Sequence, residues 1–253
     1  LLALFGAVMG QGVVWYTGQF YAQTFIETIC KVEFIQSRNI ILIAILFATP
    51  FFVVFGALSD RIGRKWIMML GMGLAILTYR PIYKSLLTTT DIASRAALID
   101  INASHAQPIK WKQDAKNNVK WYAKTISDTI YRDGAVFTYN KVDTFVVKHP
   151  ISDGGTMFQD SANIVYQSLK PSVTIEKKMS DADFWKMVLL VFVQILYVTM
   201  VYGPIAAFLV EMFPTKIRYT SMSLPYHIGN GVFGGLVPFL GTLIVEFTKN
   251  DAH

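Results

Sequence analysis

The residues most able to do chemistry form a charged turn, from Gly56 to Lys65, that reads G-A-L-S-D-R-I-G-R-K. It lies between two long apolar runs and holds one acid and three bases. Its glycines permit close backbone approach or a sharp turn. Such a turn can bridge the ends of two helices through ion pairs, although any short loop on the cytoplasmic side of a membrane also collects Arg and Lys. Its candidate functional residues are Gly56, Asp60, Arg61, Gly63, Arg64 and Lys65.

A second group of candidate functional residues consists of polar, uncharged side chains that lie inside the first apolar run. Gln11, Trp15, Gly18 and Gln19 recur at i, i+4, i+7 and i+8, which places them on one helical face. Because polar groups are costly in hydrocarbon, such a face should point towards protein or water. It fits either a solute-facing surface or a helix–helix seam joined by hydrogen bonds.

Later apolar runs carry comparable polar positions. Gln194 and Tyr197 share one helical face, and Tyr202 continues near it. His227 and Asn230 are spaced i, i+3, which suits either a functional cavity or a buried structural hydrogen bond. The predicted solute pathway therefore comprises Gln11, Trp15, Gln19, Gln194, Tyr197, Tyr202, His227 and Asn230.

Glycine and proline interrupt two of these later runs. The pair Gly203-Pro204 is expected to break a helix midway and to free backbone carbonyls that only protein or water can satisfy. In transporter helices such interruptions indicate a binding site or a hinge, and a packing kink is the other explanation. The hinge candidates are Gly203, Pro204 and Pro225.

Composition places these residues in a membrane protein. Of the 253 residues, 53% are hydrophobic, and several apolar runs reach roughly 20 residues, the length that crosses a bilayer core. The net charge of +6 is concentrated at turns that flank membrane spans, so nucleic acid is not expected as a partner. No catalytic Ser/His/Asp set, metal-ligand spacing or phosphate-binding glycine loop is recognisable. We therefore expect neither an enzyme nor a bound metal or cofactor.

Five predicted membrane spans position the candidate residues, at roughly 1–30, 39–58, 66–86, 185–212 and 220–247. They form three transmembrane helices in 1–86 and two in 185–253, separated by a polar insert at 87–184. The insert could form a small α+β domain, with strands at 119–126 and 135–147 and a helix at 160–169. Because the turns richest in Lys and Arg mark the cytoplasmic side, the insert is expected to be extracytoplasmic.

Two strings in the chain resemble segments of the major facilitator superfamily of membrane transporters. Gly56–Lys65 resembles the signature loop between the second and third helices of each six-helix half. Gly203–Arg218, which contains E-x-F-P-x-x-x-R, resembles the segment between the tenth and eleventh helices. Together with the following Tyr219–Gly235, it resembles the metabolite/proton symporter branch. The resemblance covers residues 1–86 and 185–248.

The resemblance implies an all-α polytopic membrane protein, with a partial major facilitator fold that holds helices seven to eleven. It implies a multi-pass protein of the bacterial inner (plasma) membrane that moves a small polar solute, such as an organic acid or betaine. Transport would occur by alternating access and would be coupled to protons. Glu211 and Arg218 would then join the charged turn in a cytoplasmic gate. Because the chain begins inside an apolar run, it is expected to be a fragment whose partners include the missing N-terminal half and the lipid bilayer.

A membrane receptor or sensor is the alternative function. Its insert, 87–184, would bind a ligand outside the membrane and signal through the helices. A sensor needs neither the signature turn nor paired charge clusters on the inner face, which favours the transporter. Proton coupling comes from the resemblance alone, because Glu27, Glu211 and Glu246 all lie near the ends of predicted spans.

Overall fold

The computed structural model describes residues 4–113, 119–147, 166–168 and 170–250. The chain divides into two compact units. The first, which contains the helices described below, comprises Leu1–Asp91 together with Asp181–His253, and the second comprises Ile92–Ser180. Both boundaries of the second unit lie within the insert that was predicted at 87–184.

Helices of the first unit form five runs within the described residues. Helix α1 comprises Leu4–Val8, Met9–Trp15, Tyr16–Tyr21, Ala22–Thr24 and Phe25–Ile29, and the first, third and fifth of these segments have π-helical hydrogen bonding. Helix α2 comprises Phe34–Ala48 and Pro50–Ile62, α3 is Arg64–Thr89, and α4 is Asp181–Met212. Helix α5 comprises Arg218–Ile228, the π-helical Gly229–Gly234, and Gly235–Asn250.

Only three helices in the described residues are long and apolar enough to cross a membrane: Phe34–Ile62, Asp181–Met212 and Arg218–Ile244. The prediction of five spans is therefore wrong. Helix α1 is divided by π-helical segments and carries several glutamines. Helix α3 carries Arg80 and Lys84 in its second half, and such charges are expensive at the centre of a bilayer.

Helix α4 is the central helix of the first unit. The buried share of its most apolar stretch is 61%, compared with 22% for Phe34–Ile62 and 11% for Arg218–Ile244. Helix α2 instead leaves large apolar side chains exposed, among them Leu42, Leu46 and Val53. An exposed apolar surface of this kind suits contact with lipid. Side chains that position a site inside the bundle must therefore be carried by α4 and the helices packed against it.

The second unit contains a six-stranded antiparallel sheet. Its strands are β1 (Ile99–Ala106), β2 (Lys110–Gln113), β3 (Val119–Tyr131), β4 (Val136–Val147), β5 (Tyr166–Ser168) and β6 (Ser172–Lys178). The long hairpin of β3 and β4 is its centre, and Ile130 lies opposite Val136 next to the turn. Strands β1 and β2 pair with successive parts of β3, and β6 and β5 with successive parts of β4. The sheet is thus four strands wide.

This sheet corrects the predicted fold class. An all-α fold is wrong, because the described part of the second unit is mainly β-sheet. The strands predicted at 119–126 and 135–147 are confirmed by β3 and β4. The helix predicted at 160–169 is wrong at Tyr166–Ser168, which pairs with β4, and 160–165 and 169 lie outside the described residues. A short apolar run does not by itself distinguish helix from strand, and here the neighbouring strand decides.

One end of the sheet holds a buried aromatic pair. The rings of Tyr131 and Phe137 lie 4.9 Å apart at an interplanar angle of 61°. Arg95 pairs with Asp133, and its guanidinium carbon lies 5.7 Å from the Phe137 ring centre. Burial raises the pKa of the Tyr131 phenol above its ordinary value.

The raised pKa of Tyr131 predicts a loss of stability at alkaline pH. Folding favours the neutral phenol, so its stabilising contribution is complete below the ordinary tyrosine pKa of about 10 and disappears as the pH rises through the higher folded value. We expect the wild-type sheet to lose more thermal stability above about pH 10 than the Tyr131→Phe variant. Circular dichroism of the β signal measures this, with the exposed Tyr139→Phe as the control. Equal losses in wild type and Tyr131→Phe would contradict the prediction.

Candidate functional site

The charged turn between α2 and α3 is folded around Arg64. Helix α2 ends at Ile62, and Gly63 adopts φ = +106°, a conformation that strains any residue with a side chain. Helix α3 then begins at Arg64, whose Nη2 lies 3.2 Å from Asp60 Oδ1 and 2.9 Å from Glu211 Oε1. Because Glu211 lies in the last turn of α4, Arg64 connects the end of α2, the start of α3 and the end of α4.

These ion pairs are partly solvated. The Arg64 side chain is 21% exposed, whereas those of Asp60 and Glu211 are 62% and 61% exposed. Exposed pairs of this kind contribute about 1 kcal/mol or less each, because water competes for both partners. Because these ion pairs are weak, they are better suited to a contact that opens and closes than to one that holds the bundle together permanently.

The other charged residues predicted for the gate lie outside this contact. Arg61 is exposed and forms no ion pair with the residues that the structure describes. Lys65 Nζ lies 5.9 Å from the Trp66 ring. Arg218 Nε donates a hydrogen bond to the Phe213 carbonyl at 3.1 Å, within the α4–α5 turn. Among the charged candidates, the structure thus brings together Asp60, Arg64 and Glu211.

Gly203 lies where α4 packs tightly against the backbone of α2. A Cβ atom added to Gly203 would lie 3.1 Å from the Phe52 carbonyl oxygen and 3.4 Å from the Gly56 nitrogen. Helix α4 continues through Gly203 and Pro204 without a break, so the predicted interruption there is wrong. Pro225 also lies within a helical segment, Arg218–Ile228. Membrane helices tolerate proline where neighbouring helices and side chains satisfy the freed carbonyls.

An amide–aromatic cluster forms where α1, α4 and α5 meet; it comprises Gln11, which is buried, and Trp15, Tyr202 and Asn230, which are half-buried. The Trp15 and Tyr202 rings lie edge to face, 4.0 Å apart at 79°. The Tyr202 hydroxyl donates to Asn230 Oδ1 at 3.4 Å and also faces the Gln11 amide. Asn230 in turn donates to the Tyr226 carbonyl at 3.1 Å. Residues from three separate helical runs therefore converge on one uncharged polar site.

Several polar atoms in and near this cluster lack a well-formed hydrogen bond within the described part of the chain. Gln11 is completely buried, and neither its Oε1 nor its Nε2 has one. The indole Nε1 of Trp15 is also buried without a hydrogen-bond partner among the described residues. Gln194, also completely buried, has an unsatisfied Oε1 and a long contact of 3.5 Å from Nε2 to the Leu190 carbonyl. An unsatisfied buried group typically destabilises a fold by about 1–3 kcal/mol.

The remaining pathway candidates do not join the cluster. Tyr197 instead accepts a hydrogen bond from Thr78 Oγ1 at 3.1 Å. Gln19 is half-buried. His227 is exposed and lies with its ring 5.8 Å from that of Tyr226. Of the eight predicted positions, the structure brings Gln11, Trp15, Tyr202 and Asn230 together.

Sequence reasoning missed the tyrosines of α3. The Tyr79 hydroxyl donates to the Val14 carbonyl at 3.0 Å, and the Tyr83 hydroxyl donates to the Thr17 carbonyl at 2.6 Å. Thr17 lies in the π-helical segment Tyr16–Tyr21, and such segments are frequent at functional sites. The i, i+4 spacing of the two tyrosines was the signal that could have revealed this shared face.

A second polar contact lies at the opposite ends of α1 and α2. Arg38 Nε lies 3.4 Å from Glu27 Oε1. Ser37 Oγ and Gln23 Nε2 also donate to Glu27 Oε1, at 3.1 and 3.2 Å. The start of α2 and its end therefore each have their own charge contact.

Metal-binding chemistry was not expected, and the described residues contain no group of three or more His, Cys, Asp or Glu that could hold an ion. His105 is exposed on β1, and His149 lies outside the described residues. Cys30 is buried.

Comparison with protein-family models, curated proteins and solved structures gave no match to this chain. The structure itself defines a helical unit with three helices long and apolar enough to span a membrane, together with a sheet unit. These features are compatible with a membrane protein.

Proposed function

We propose that the chain is part of a secondary active transporter that moves a small polar solute across a membrane by alternating access. The observation that carries this proposal is the amide–aromatic cluster. It brings completely buried Gln11 together with half-buried Trp15, Tyr202 and Asn230, from three separate helical runs.

The unsatisfied atoms of the cluster support a solute site over a structural seam. A seam between helices would be expected to pair its polar groups, because unpaired groups are costly where water is absent. Gln11 pairs neither its donor nor its acceptor well within the described residues. A solute that supplies the missing partners would turn this cost into binding free energy.

The charge contact around Arg64 supports the same proposal. It connects three helix ends on one side of the unit, whereas the Glu27–Arg38 contact connects two helix ends on the other. Exposed pairs at opposite ends can open in alternation at little free-energy cost. The resemblance of Gly56–Lys65 and Gly203–Arg218 to transporter segments is a further support.

The proposal also covers the membrane, the orientation of the chain and the coupling ion. We place the protein in a bacterial inner membrane, with the sheet unit outside the cytoplasm and with transport coupled to protons. Organic acids and betaines are the solutes that the sequence resemblance suggests. Neither the coupling ion nor a charged solute has a partner among the residues of the cluster.

Uptake by vesicles tests the proposed function. The protein is reconstituted into liposomes loaded with unlabelled solute, and exchange for labelled external solute is followed with and without a pH gradient. We expect exchange above that of protein-free vesicles for at least one small polar solute, and we expect Tyr202→Phe to slow it about tenfold because the hydroxyl that faces Gln11 and Asn230 is lost. Tyr219→Phe, which alters an exposed tyrosine, should leave the rate unchanged.

A membrane sensor is the second candidate, favoured by the separate compact unit Ile92–Ser180. A sensor would bind a solute without exchanging it across the vesicle membrane. Saturable binding with no exchange, in a protein whose wild-type and Tyr202→Phe forms behave alike, would favour the sensor and contradict the transporter.

A further inference from the structure

We infer that the amide–aromatic cluster recognises an uncharged solute rich in hydroxyl groups, a polyol or a sugar, and not a carboxylate or a betaine. This inference rests on the proposed transport function and specifies the chemical class of its solute. It departs from the charged solutes that the sequence resemblance suggests.

The hydrogen-bonding inventory of the cluster favours hydroxyl groups. Gln11 offers a donor and an acceptor side by side, and Trp15 offers a donor only. Tyr202 Oη contacts Asn230 Oδ1 at a long 3.4 Å and also faces the Tyr226 hydroxyl and the Gln11 amide, so hydroxyl groups already belong to the polar surroundings of Gln11. A hydroxyl both donates and accepts, so a polyol can satisfy such a mixed set, whereas a carboxylate can only accept.

The electrostatics of the cluster disfavour a charged solute. None of its four side chains carries a charge, and a buried ion without a counter-charge is strongly penalised. The described charged groups of the neighbouring helices are engaged elsewhere or exposed. Glu27 pairs with Arg38 and Glu211 with Arg64, while Arg80 and Lys84 on α3 are exposed.

The aromatic members of the cluster suit the same class of solute. The edge of one ring meets the face of the other between Trp15 and Tyr202, so aromatic apolar groups lie beside the polar atoms of the cluster. The C–H groups of a polyol can pack on such groups while its hydroxyl groups reach the amides. Gln194 extends the polar surface of α4 by about 12 Å, since eight residues separate it from Tyr202.

Binding and exchange of matched solutes test the inference. Glycerol, xylitol and myo-inositol represent uncharged polyols, glycine betaine represents a zwitterion, and succinate represents a carboxylate. Labelled forms are used for equilibrium binding to the purified protein and for exchange by reconstituted vesicles. The variants are Gln11→Leu, which removes both hydrogen-bonding atoms, and Gln11→Glu, which adds a charge at nearly the same size.

We expect at least one of the three polyols to bind saturably and to exchange, with betaine and succinate neither binding nor competing. Gln11→Leu should weaken polyol binding about tenfold or more while raising the melting temperature, because it removes an unsatisfied buried amide. The raised melting temperature shows that the variant folds, so that loss of binding is not loss of structure. Gln11→Glu should also weaken polyol binding.

Three results would overturn the inference. Exchange of betaine or succinate without any polyol would refute the solute class and leave the transporter proposal standing. Polyol binding that Gln11→Leu does not weaken would refute the assigned site. Failure of all five solutes to exchange or bind, with Gln11→Leu still more stable than wild type, would contradict both proposals and indicate that the cluster holds only water.

Discussion

Gly203→Leu should lower the free energy of unfolding of the helical unit by about 1–3 kcal/mol, the typical effect of overpacking. A Cβ at this position would press on the Phe52 carbonyl and the Gly56 nitrogen. These are backbone atoms of α2, which cannot rotate out of the way as a flexible side chain would. The two helices would have to separate. Chemical or thermal unfolding in detergent, followed by the helical circular dichroism signal, measures the change.

Gly56→Leu and Gly73→Leu provide the matched controls. A Cβ at either position meets no other atom within 4 Å, so a side chain can extend into open space. Both variants should unfold close to wild type. Equal destabilisation by Gly203→Leu and Gly56→Leu would therefore show that the α2–α4 approach is not as close as described.

Arg64→Glu is expected to disrupt the charge contact at the α2–α3 turn. The introduced carboxylate would lie beside Asp60 and Glu211 and would repel both of them, where the guanidinium attracts both. Because the side chains of this contact are partly solvated, we expect a stability loss of only about 1 kcal/mol. We expect a larger effect on solute exchange, a slowing of about tenfold, because the contact is proposed to close one side of the pathway and its loss would shift the population of states. Unfolding in detergent and vesicle exchange measure the two effects.

A charge swap and a matched control make this prediction specific. The double variant Arg64→Glu with Glu211→Arg restores an opposite pair between α3 and α4, and it should recover part of the exchange rate. Arg61→Glu changes the net charge by the same amount at an exposed position without an ion pair in the described residues, and it should leave exchange near wild type. Equal losses in Arg61→Glu and Arg64→Glu would reduce the effect to net charge and contradict a specific gate.

Features that depend only on residues close together in the chain could be predicted from the sequence. The alternation of side chains at 119–126 and 135–147 predicted β3 and β4, because period-two patterning reflects the two faces of a strand. The charges of Asp60 and Arg64 were likewise recognised as a candidate ion pair because they stand close together in one short turn. The contact between Arg64 and Glu211 was expected only from resemblance, because the two residues are far apart in sequence.

Hydropathy alone overestimated the number of membrane spans. The apolar residues of α1 and α3 suggested two further crossings, yet neither helix is among those of the described residues that are able to span a membrane. The glutamines and other polar residues of α1 and the charges of α3 account for the difference. Sequence reasoning also misjudged Gly203-Pro204, where α4 continues unbroken. Local rules describe what an isolated helix prefers, and packing against neighbours can reverse that preference.

Composition and short spacings were sufficient to establish that this chain has apolar helices, a polar middle region and a charged turn. They also established that Gln11 and Trp15 share a helical face, because the two residues lie one turn apart. Helix packing was needed to show that Tyr202 and Asn230, rather than the other predicted pathway residues, complete that cluster. The physical reason is that a helical period defines which residues share a face, whereas the register and rotation of packed helices define which faces meet.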